Sequence, residues 1–114
     1  MALRLGDTNK KIIVNAGFDM SSYTELTLDF TLPDGTASQK LTADGVTIGA
    51  GETLDGITYT ANFYVTYNTE VGFLSQSGTW AVKLTYTNTA TTPDTIYVGD
   101  CVQFTVDGAT CSVS

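Results

Sequence analysis

A strict alternation of apolar and polar residues between Tyr23 and Gly35 constrains the fold more than any other stretch. The apolar residues occupy every second position and threonine or acidic residues fill the gaps: Leu26, Leu28, Phe30 and Leu32 against Glu25, Thr27, Asp29 and Thr31. A period of two places the apolar side chains on one face of an extended backbone. Pro33-Asp34-Gly35 then favours a tight turn. The stretch predicts a strand with one buried face.

The same pattern recurs along the chain and predicts about seven strands, with no convincing helical periodicity. The predicted strands are Lys10–Asn15, Tyr23–Leu32, Ala37–Thr42, Val46–Ile48, Ile57–Tyr67, Thr79–Thr87 and Thr95–Val106. The Asp55-Gly56 pair between extended segments indicates a hairpin turn. Residues 68–78 are predicted as a loop that places Val71, Phe73 and Leu74 over the core.

The phase of the later strands predicts which side chains face inward. In the fifth strand Tyr59 and Phe63 are predicted inward and Tyr64 outward. In the last strand the inward positions are Ile96, Val98, Val102, Phe104 and Val106, and Tyr97 is outward. Asp100 falls on the inward phase beside Gly99, and a buried, unpaired carboxylate is costly. A β-bulge at Gly99-Asp100 that returns the acid to solvent is therefore predicted.

Strands with one apolar face must bury that face against another layer. Two antiparallel sheets packed face to face, with Trp80 and Phe63 at the centre, satisfy the pattern best. The predicted fold is all-β, an immunoglobulin-like β-sandwich of about seven strands, with a jelly roll or a small barrel as alternatives. The predicted organisation is an N-terminal arm (1–9), the β-sandwich domain (10–107) and a flexible C-terminal tail (108–114).

Composition excludes several classes of function. The chain has 114 residues, with five basic and twelve acidic residues and a net charge of -7. Its cations are scattered, whereas nucleic-acid binding needs a basic cluster, so no nucleic-acid partner is predicted. No apolar run is long enough for a signal peptide or a membrane span. A soluble protein made in the cytoplasm, with no membrane partner, is expected.

The residues that usually carry catalysis are scarce. The chain contains no histidine and two cysteines, Cys101 and Cys111. The absence of histidine removes the usual general base and the commonest metal ligand. The two cysteines do not make a zinc site, and in a reducing compartment their thiols are expected to be free. No enzymatic activity, no catalytic residue and no cofactor are predicted.

Two ligand hypotheses remain open. Asp34, Asp44, Glu52 and Asp55 lie in or near predicted turns, and turns at one end of a sandwich can converge on calcium. The same acidic residues also favour turns without any metal. Tyr64 and Tyr97 fall out of phase with the core, and exposed tyrosines are enriched at protein interfaces. They are also typical of a carbohydrate-binding platform or of an ordinary sheet surface.

Four stretches resemble small virion proteins of tailed phages. They are L-G-D-T-N-K-K-I-I-V (Leu5–Val14), Y-T-E-L-T-L-D-F-T-L-P-D-G (Tyr23–Gly35), G-T-W-A-V-K-L-T-Y (Gly78–Tyr86) and D-T-I-Y-V-G-D-C-V-Q-F-T-V (Asp94–Val106). In layout they are similar to the immunoglobulin-like N-terminal domain of upper baseplate proteins, which anchor receptor-binding proteins to the tail. Baseplate adaptors continue into a trimerising helical or fibre region. A chain of this length is expected to be a stand-alone virion component.

The resemblance implies a non-enzymatic structural role in a tailed-phage virion. The expected roles are a tail, neck or baseplate adaptor or a fibre-anchoring protein, with a capsid decoration protein as an alternative. A carbohydrate- or ligand-binding β-sandwich module and a domain of a cell-surface array are two further candidates. The expected partners are other virion proteins and further copies of the chain in a symmetric homo-oligomer, where weak contacts add by avidity.

The assembly contacts are predicted on the N-terminal arm and on the polar edge strand Ala37–Thr42. Exposed strand edges pair readily with another chain. The candidate interface residues are Leu3, Arg4, Leu5, Lys40, Tyr64 and Tyr97.

Overall fold

A computed structural model describes residues 3–108, which form an all-β fold with one short 3₁₀ turn, Thr42–Asp44. These residues form three sheets. The strands are β1 (Leu3–Arg4), β2 (Lys11–Asn15), β3 (Glu25–Thr31), β4 (Ala37–Lys40), β5 (Thr47–Ile48), β6 (Glu52–Leu54), β7 (Ile57–Tyr59), β8 (Tyr64–Asn68), β9 (Gly78–Asn88), β10 (Thr95–Val98) and β11 (Val102–Asp107). None of the described residues belongs to a helix long and apolar enough to cross a membrane.

The longest strand, β9, is central to the largest sheet. The order of that sheet is β1–β11–β9–β3–β4, and β10 also pairs with β9. The inward side chains of β9 and β3 are buried, as their alternation predicts: Trp80, Val82, Leu84 and Tyr86 in β9, and Leu26, Leu28 and Phe30 in β3. Their outward neighbours are mostly threonines, which suit a half-exposed sheet surface. The alternating pattern is confirmed in both strands.

A second sheet has the order β2–β8–β5, and β6 and β7 form a separate hairpin. Asp55 and Gly56 connect β6 to β7, and both have positive φ, at 52° and 78°. Positive φ at both central residues is typical of the type I′ turn that joins two antiparallel strands. The hairpin predicted at Asp55-Gly56 is confirmed.

Side chains of the two larger sheets share one hydrophobic core. Phe30 of β3 packs against Tyr67 of β8, with ring centroids 6.0 Å apart. Phe73, in the loop after β8, lies 5.0 Å from Phe30 and 5.5 Å from Trp80. The predicted loop over the core therefore contributes Phe73 and Leu74, which are buried, whereas Val71 is exposed. The sheets of residues 3–108 are open and form no barrel.

The predicted long strand Ile57–Tyr67 is interrupted, because β7 ends at Tyr59 and β8 begins at Tyr64. Asn62 has a φ of 68°, a left-handed conformation that ends the extended backbone. Phe63 lies in this interruption and is only half-buried. Tyr64 is buried, because the chain before β6 covers the outer face of β8. The predictions of a central Phe63 and an exposed Tyr64 are wrong.

The predicted bulge at Gly99-Asp100 is present, and it divides the last strand into β10 and β11. Val98 pairs with Thr85 and Val102 with Val82, so residues 99–101 lie opposite only residues 83–84 of β9. Asp100 is exposed. One extra residue reverses the side-chain phase, because successive residues point to opposite faces. The bulge thus moves the side chains of β10 to the faces opposite to those predicted.

The reversal turns Ile96 and Val98 outward. They pair with Thr87 and Thr85 on the outer face of β9, whereas Tyr97 pairs with the buried Tyr86. Residues paired across an antiparallel ladder share a face. Ile96 and Val98 therefore face away from the core, and the prediction that they face it is wrong for these two. Val102 pairs with the buried Val82 and lies on the core face as predicted, but it is 43% exposed.

The predicted N-terminal arm is part of the fold from Leu3 onward. β1 pairs in parallel with β11, placing Leu3 opposite Val106 and Arg4 opposite Asp107. Leu3 is buried, and the Leu5 N–H donates to the Asp107 carbonyl at 2.7 Å. Burial of an apolar side chain together with backbone pairing explains why this segment does not extend into solvent. The predicted C-terminal tail lies outside the described residues from position 109 onward.

Candidate interaction surface

Four exposed apolar side chains cluster on β10 and at the start of β11. The exposed fractions are 61% for Ile96, 57% for Val98, 43% for Val102 and 36% for Tyr97. We call the segment Thr95–Val98 together with Val102 the open edge. Ile96 and Val98 lie on the outer face of the sheet, and Tyr97 and Val102 lie on the inner face. Scattered exposed apolar residues are normal on a protein surface, but several along one sheet edge indicate a candidate contact site.

The backbone of the open edge is paired on one side only. Among residues 3–108, β10 pairs with β9 and with no other strand. β1 covers only Val106 and Asp107 of β11, so it does not reach the open edge. A sheet edge of this kind presents a row of N–H and C=O groups to which another strand can pair.

A cleft of about 250 Å³ lies beside the open edge. One wall is residues 14–16, at the end of β2, which is the edge strand of the second sheet. The other wall includes Tyr97, Asp100 and Val102. The cleft therefore lies where edge strands of both larger sheets come close together, with apolar side chains on each side.

Tyr97 is held in place on its inner side by aromatic packing. The Phe18 ring contacts Tyr97 edge-to-face at 4.8 Å and Tyr86 at 5.5 Å. Such ring pairs stabilise by about 0.5–1.5 kcal/mol beyond the area they bury. The packing fixes β10 against the body of the protein, so the open edge has a defined shape. Among the aromatic residues between positions 3 and 108, Tyr97 has the most exposed side chain.

The charges near the open edge are acidic. Asp94 precedes β10 and Asp100 lies in the bulge, and the sequence from Leu84 to Gly108 contains no lysine or arginine. The nearest basic residue along the paired strand is Lys83, which lies opposite Asp29 of β3 on one side and, with Leu84, opposite the bulge residues 99–101 on the other. The open edge is thus an apolar strip with carboxylates at its ends.

The predicted interface residues do not come together. Leu3 is buried, Leu5 is half-buried against the core, and Arg4 is exposed beside β11. Lys40 lies on β4, at the opposite edge of the largest sheet from β1. Among the predicted residues, Tyr97 alone belongs to the open edge.

Lys40 is engaged within the protein. Its Nζ donates to Glu70 Oε1 at 2.6 Å and lies 5.4 Å from the centroid of the Phe73 ring. The hydrogen bond from Lys40 to Glu70 raises the pKa of the lysine, against the opposing effect of burial. These residues line a second cleft, of about 340 Å³, beside the exposed Val71. Because its charge is already paired, Lys40 offers little to a partner at this site.

Tyr64 belongs to a polar cluster that fixes the β6–β7 hairpin. Its hydroxyl donates to Glu52 Oε1 at 3.0 Å and accepts the Gly51 N–H at 3.0 Å. Lys11 Nζ donates to Glu52 Oε2 at 2.9 Å. Burial is the main cause of the raised pKa of Tyr64, and the hydrogen bond to Glu52 raises it further. The buried ring has a structural role, and it is not available as the exposed interface residue that the sequence predicted.

The hydrogen bonds to Glu52 give a pH-dependent prediction. The hydrogen bond from Lys11 has the largest effect and lowers the pKa of Glu52 in the folded protein, and the hydrogen bond from Tyr64 lowers it further. A carboxylate with a depressed folded-state pKa stabilises the fold above its unfolded-state pKa and loses that effect as the pH falls. We expect wild type to be more stable than Glu52→Gln at pH 7. The difference should shrink below the ordinary glutamate pKa of about 4.3.

Urea unfolding of both proteins across this pH range measures the difference directly. Comparing each wild-type value with Glu52→Gln at the same pH removes the contribution of the other carboxylates. A stability difference that stays constant down to the acid limit contradicts the assigned role of Glu52.

The carboxylates considered for calcium are engaged in local structure. Asp34 accepts the Thr36 N–H at 2.8 Å and a Gln76 amide N–H at 2.9 Å, and Asp44 accepts the Leu41 N–H at 2.9 Å. Glu52 pairs with Lys11. In the described part of the chain, no group of three or more histidine, cysteine or acidic residues is placed to hold a metal ion. Cys101 carries an exposed thiol, and the predicted state of Cys111 lies outside the described residues.

Comparison of the chain with protein families, with curated proteins and with solved structures finds no match. The sequence pattern predicts Tyr97 alone as an interface residue of the open edge, because Ile96, Val98 and Val102 fit an inward phase. Gly99-Asp100 was the signal that would have revealed it, since a one-residue bulge turns Ile96 and Val98 outward.

Proposed function

We propose that this chain is a non-enzymatic structural component of a tailed-phage virion, made in the host cytoplasm and acting as a tail, neck or baseplate adaptor. The observation that carries the proposal is the open edge, a strand that is paired on one side only and carries exposed apolar side chains. Such surfaces are typical of protein contacts. The resemblance of Leu5–Val14, Tyr23–Gly35, Gly78–Tyr86 and Asp94–Val106 to phage virion proteins supports the choice of a virion.

We further propose that the fold is an immunoglobulin-like β-sandwich, and the strand orders support this. In an immunoglobulin domain strands B, E and D share one sheet, and C, F and G share the other. Here β2, β8 and β5 have the sequential positions of B, E and D, while β3, β9 and β10–β11 have those of C, F and G. The fourth strand, β4, corresponds to C′. The β6–β7 hairpin is an insertion between the positions of D and E.

One departure from the immunoglobulin pattern bears on the proposed function. Strand A of an immunoglobulin domain shares the sheet of B, E and D. Here the short β1 pairs with β11 instead, and β2 is the edge strand of its sheet. Edge strands of both sheets thus flank the cleft beside the open edge, and this end of the fold suits the docking of a neighbouring protein.

Cryo-electron microscopy of particles from the native source tests the proposal. We expect the chain at symmetric positions on the tail, neck or baseplate, with the open edge against a neighbouring protein. Location on the capsid surface would instead identify a decoration protein. Recovery of the chain only as a free protein, absent from purified particles, would overturn the virion role.

A further inference from the structure

We infer that the open edge accepts one extended strand of another protein, with apolar residues at alternating positions and lysine or arginine at its ends. The added strand would pair with β10 by backbone hydrogen bonds and extend the largest sheet. This inference rests on the proposed assembly role and specifies the chemistry of the partner.

The backbone sets the length of the site. β10 offers the unpaired side of Thr95–Val98, and Pro93, which has no backbone N–H to donate, lies two residues before it. After β10 the chain enters the bulge, where the Gly99 N–H donates back to the Leu84 carbonyl at 2.8 Å. Because the ladder is limited at both ends, the site suits a short strand of about four to six residues.

The two faces of the open edge favour apolar residues at alternating positions. A strand beside β10 would point alternate side chains to opposite faces of the sheet. On the outer face they would meet Ile96 and Val98, which favours apolar residues there. On the inner face they would approach the cleft, whose lining includes Asn15 and Asp100, so polar residues such as threonine fit on that side. Specificity in strand addition comes from such alternate contacts, while the backbone supplies affinity.

Charge favours a basic partner over a second copy of the chain. If two copies paired β10 with β10 in antiparallel register about Tyr97, Asp94 of each would lie opposite Asp100 of the other. Directly opposed like charges destabilise a strand pair. Each chain also carries a net charge of -7, which opposes self-association. Lysine or arginine at the ends of a partner strand would neutralise the same carboxylates.

The strand itself lacks the usual protection of an edge. Natural sheet edges carry charges, prolines or bulges that prevent unwanted pairing. Here these features lie outside β10, at Pro93, Asp94 and Asp100, while Ile96-Tyr97-Val98 carries no charge. The flanking features limit where a strand can pair without blocking the pairing itself, as expected for a site that a specific partner covers.

Titration with two synthetic peptides tests the inference. Both alternate valine and threonine over about five residues, the length of a typical strand. One carries paired lysines at each end and the other carries paired glutamates. By amide NMR, the lysine peptide should shift Thr95–Val98 and protect amides of this segment from hydrogen exchange. The glutamate peptide should bind at least about tenfold more weakly, and added salt should reduce the difference.

Matched variants locate the binding site. The double variant Ile96→Thr/Val98→Thr removes apolar contacts while keeping residues that favour strands and adding no charge, so we expect affinity for the lysine peptide to fall at least about fivefold. Val71→Thr changes an apolar residue that is 87% exposed on a loop remote from β10 and should leave affinity unchanged.

Each outcome decides the inference. No binding, equal binding of the two peptides, perturbation away from β10, or self-association through β10 in sedimentation would overturn it. Because the peptide assay needs no particle, it separates this inference from the virion role. If the chain is found in particles but binds neither peptide, the virion role stands and this inference fails. If the chain binds the lysine peptide but is absent from particles, the virion role fails and this inference stands.

Discussion

Trp80→Ala is expected to lower the free energy of unfolding by about 3–5 kcal/mol. Trp80 is fully buried near the start of β9, and its ring stacks on Phe104 at 5.8 Å and contacts Phe73 at 5.5 Å. Its indole N–H donates to the Gln76 carbonyl at 2.9 Å. Truncation leaves a cavity among rings from β11 and the loop before β9, and it leaves the carbonyl without this donor.

A loss of this size is a large share of the total, because domains are typically stable by about 5–15 kcal/mol. Urea and thermal unfolding measure it, and the midpoint should fall by roughly 10 °C or more. Thr79→Ala, on the exposed face of the same strand, is the control and should stay within about 0.5 kcal/mol of wild type. Equal effects of the two substitutions would contradict the central position of Trp80.

The sequence predicted the centre of the fold because the residues of β3 and β9 alternate without interruption. Every inward position from Leu26 to Phe30 and from Trp80 to Tyr86 is apolar, and every outward position is threonine, acidic, lysine or alanine. One register satisfies this pattern, since a slip of one residue would expose the whole apolar set. Burial and pairing therefore follow from local sequence in these two strands.

The prediction of one continuous strand over residues 57–67 was wrong because the alternation of apolar and polar residues continues through a backbone break, although Val65 and Tyr67 are buried as predicted. Asn62 adopts positive φ, and asparagine tolerates this conformation better than most residues. The alternation of apolar and polar residues does not indicate this break. Tyr64 was misplaced for a different reason: the segment that covers it precedes β6, and long-range packing of this kind is absent from a local pattern.

The candidate site was within reach of the sequence but was not recognised. The sequence predicts a bulge at Gly99-Asp100 that releases one acid to solvent, and the same extra residue reverses the phase of Ile96 and Val98. The pairing of β1 with β11 was less accessible, because Leu3 and Val106 are distant along the chain and two-residue strands carry almost no periodic signal. A short parallel contact of this kind is specified by tertiary packing.

Gly49→Ala is expected to destabilise the protein by about 2–3 kcal/mol, because the added methyl group has no space. A Cβ at Gly49 would lie 2.0 Å from Cζ of Tyr64. The backbone of Gly49 cannot easily move, since its N–H donates to the Tyr64 carbonyl and its carbonyl accepts the Asn62 N–H, each at 2.9 Å. The ring is equally restrained, because its hydroxyl bonds Gly51 and Glu52.

A double-mutant cycle separates this clash from any backbone effect of alanine. In a Tyr64→Ala background the methyl group has room, so Gly49→Ala should then cost less than about 0.5 kcal/mol, and the coupling energy should be about 2 kcal/mol. Urea unfolding of the four proteins supplies the values. Amide shifts in β6 and β7 should change in Gly49→Ala, because displacement of the ring removes the anchor of the hairpin. If Gly49→Ala is equally destabilising in both backgrounds, the cause lies in the backbone and the packing of Tyr64 on Gly49 does not limit stability.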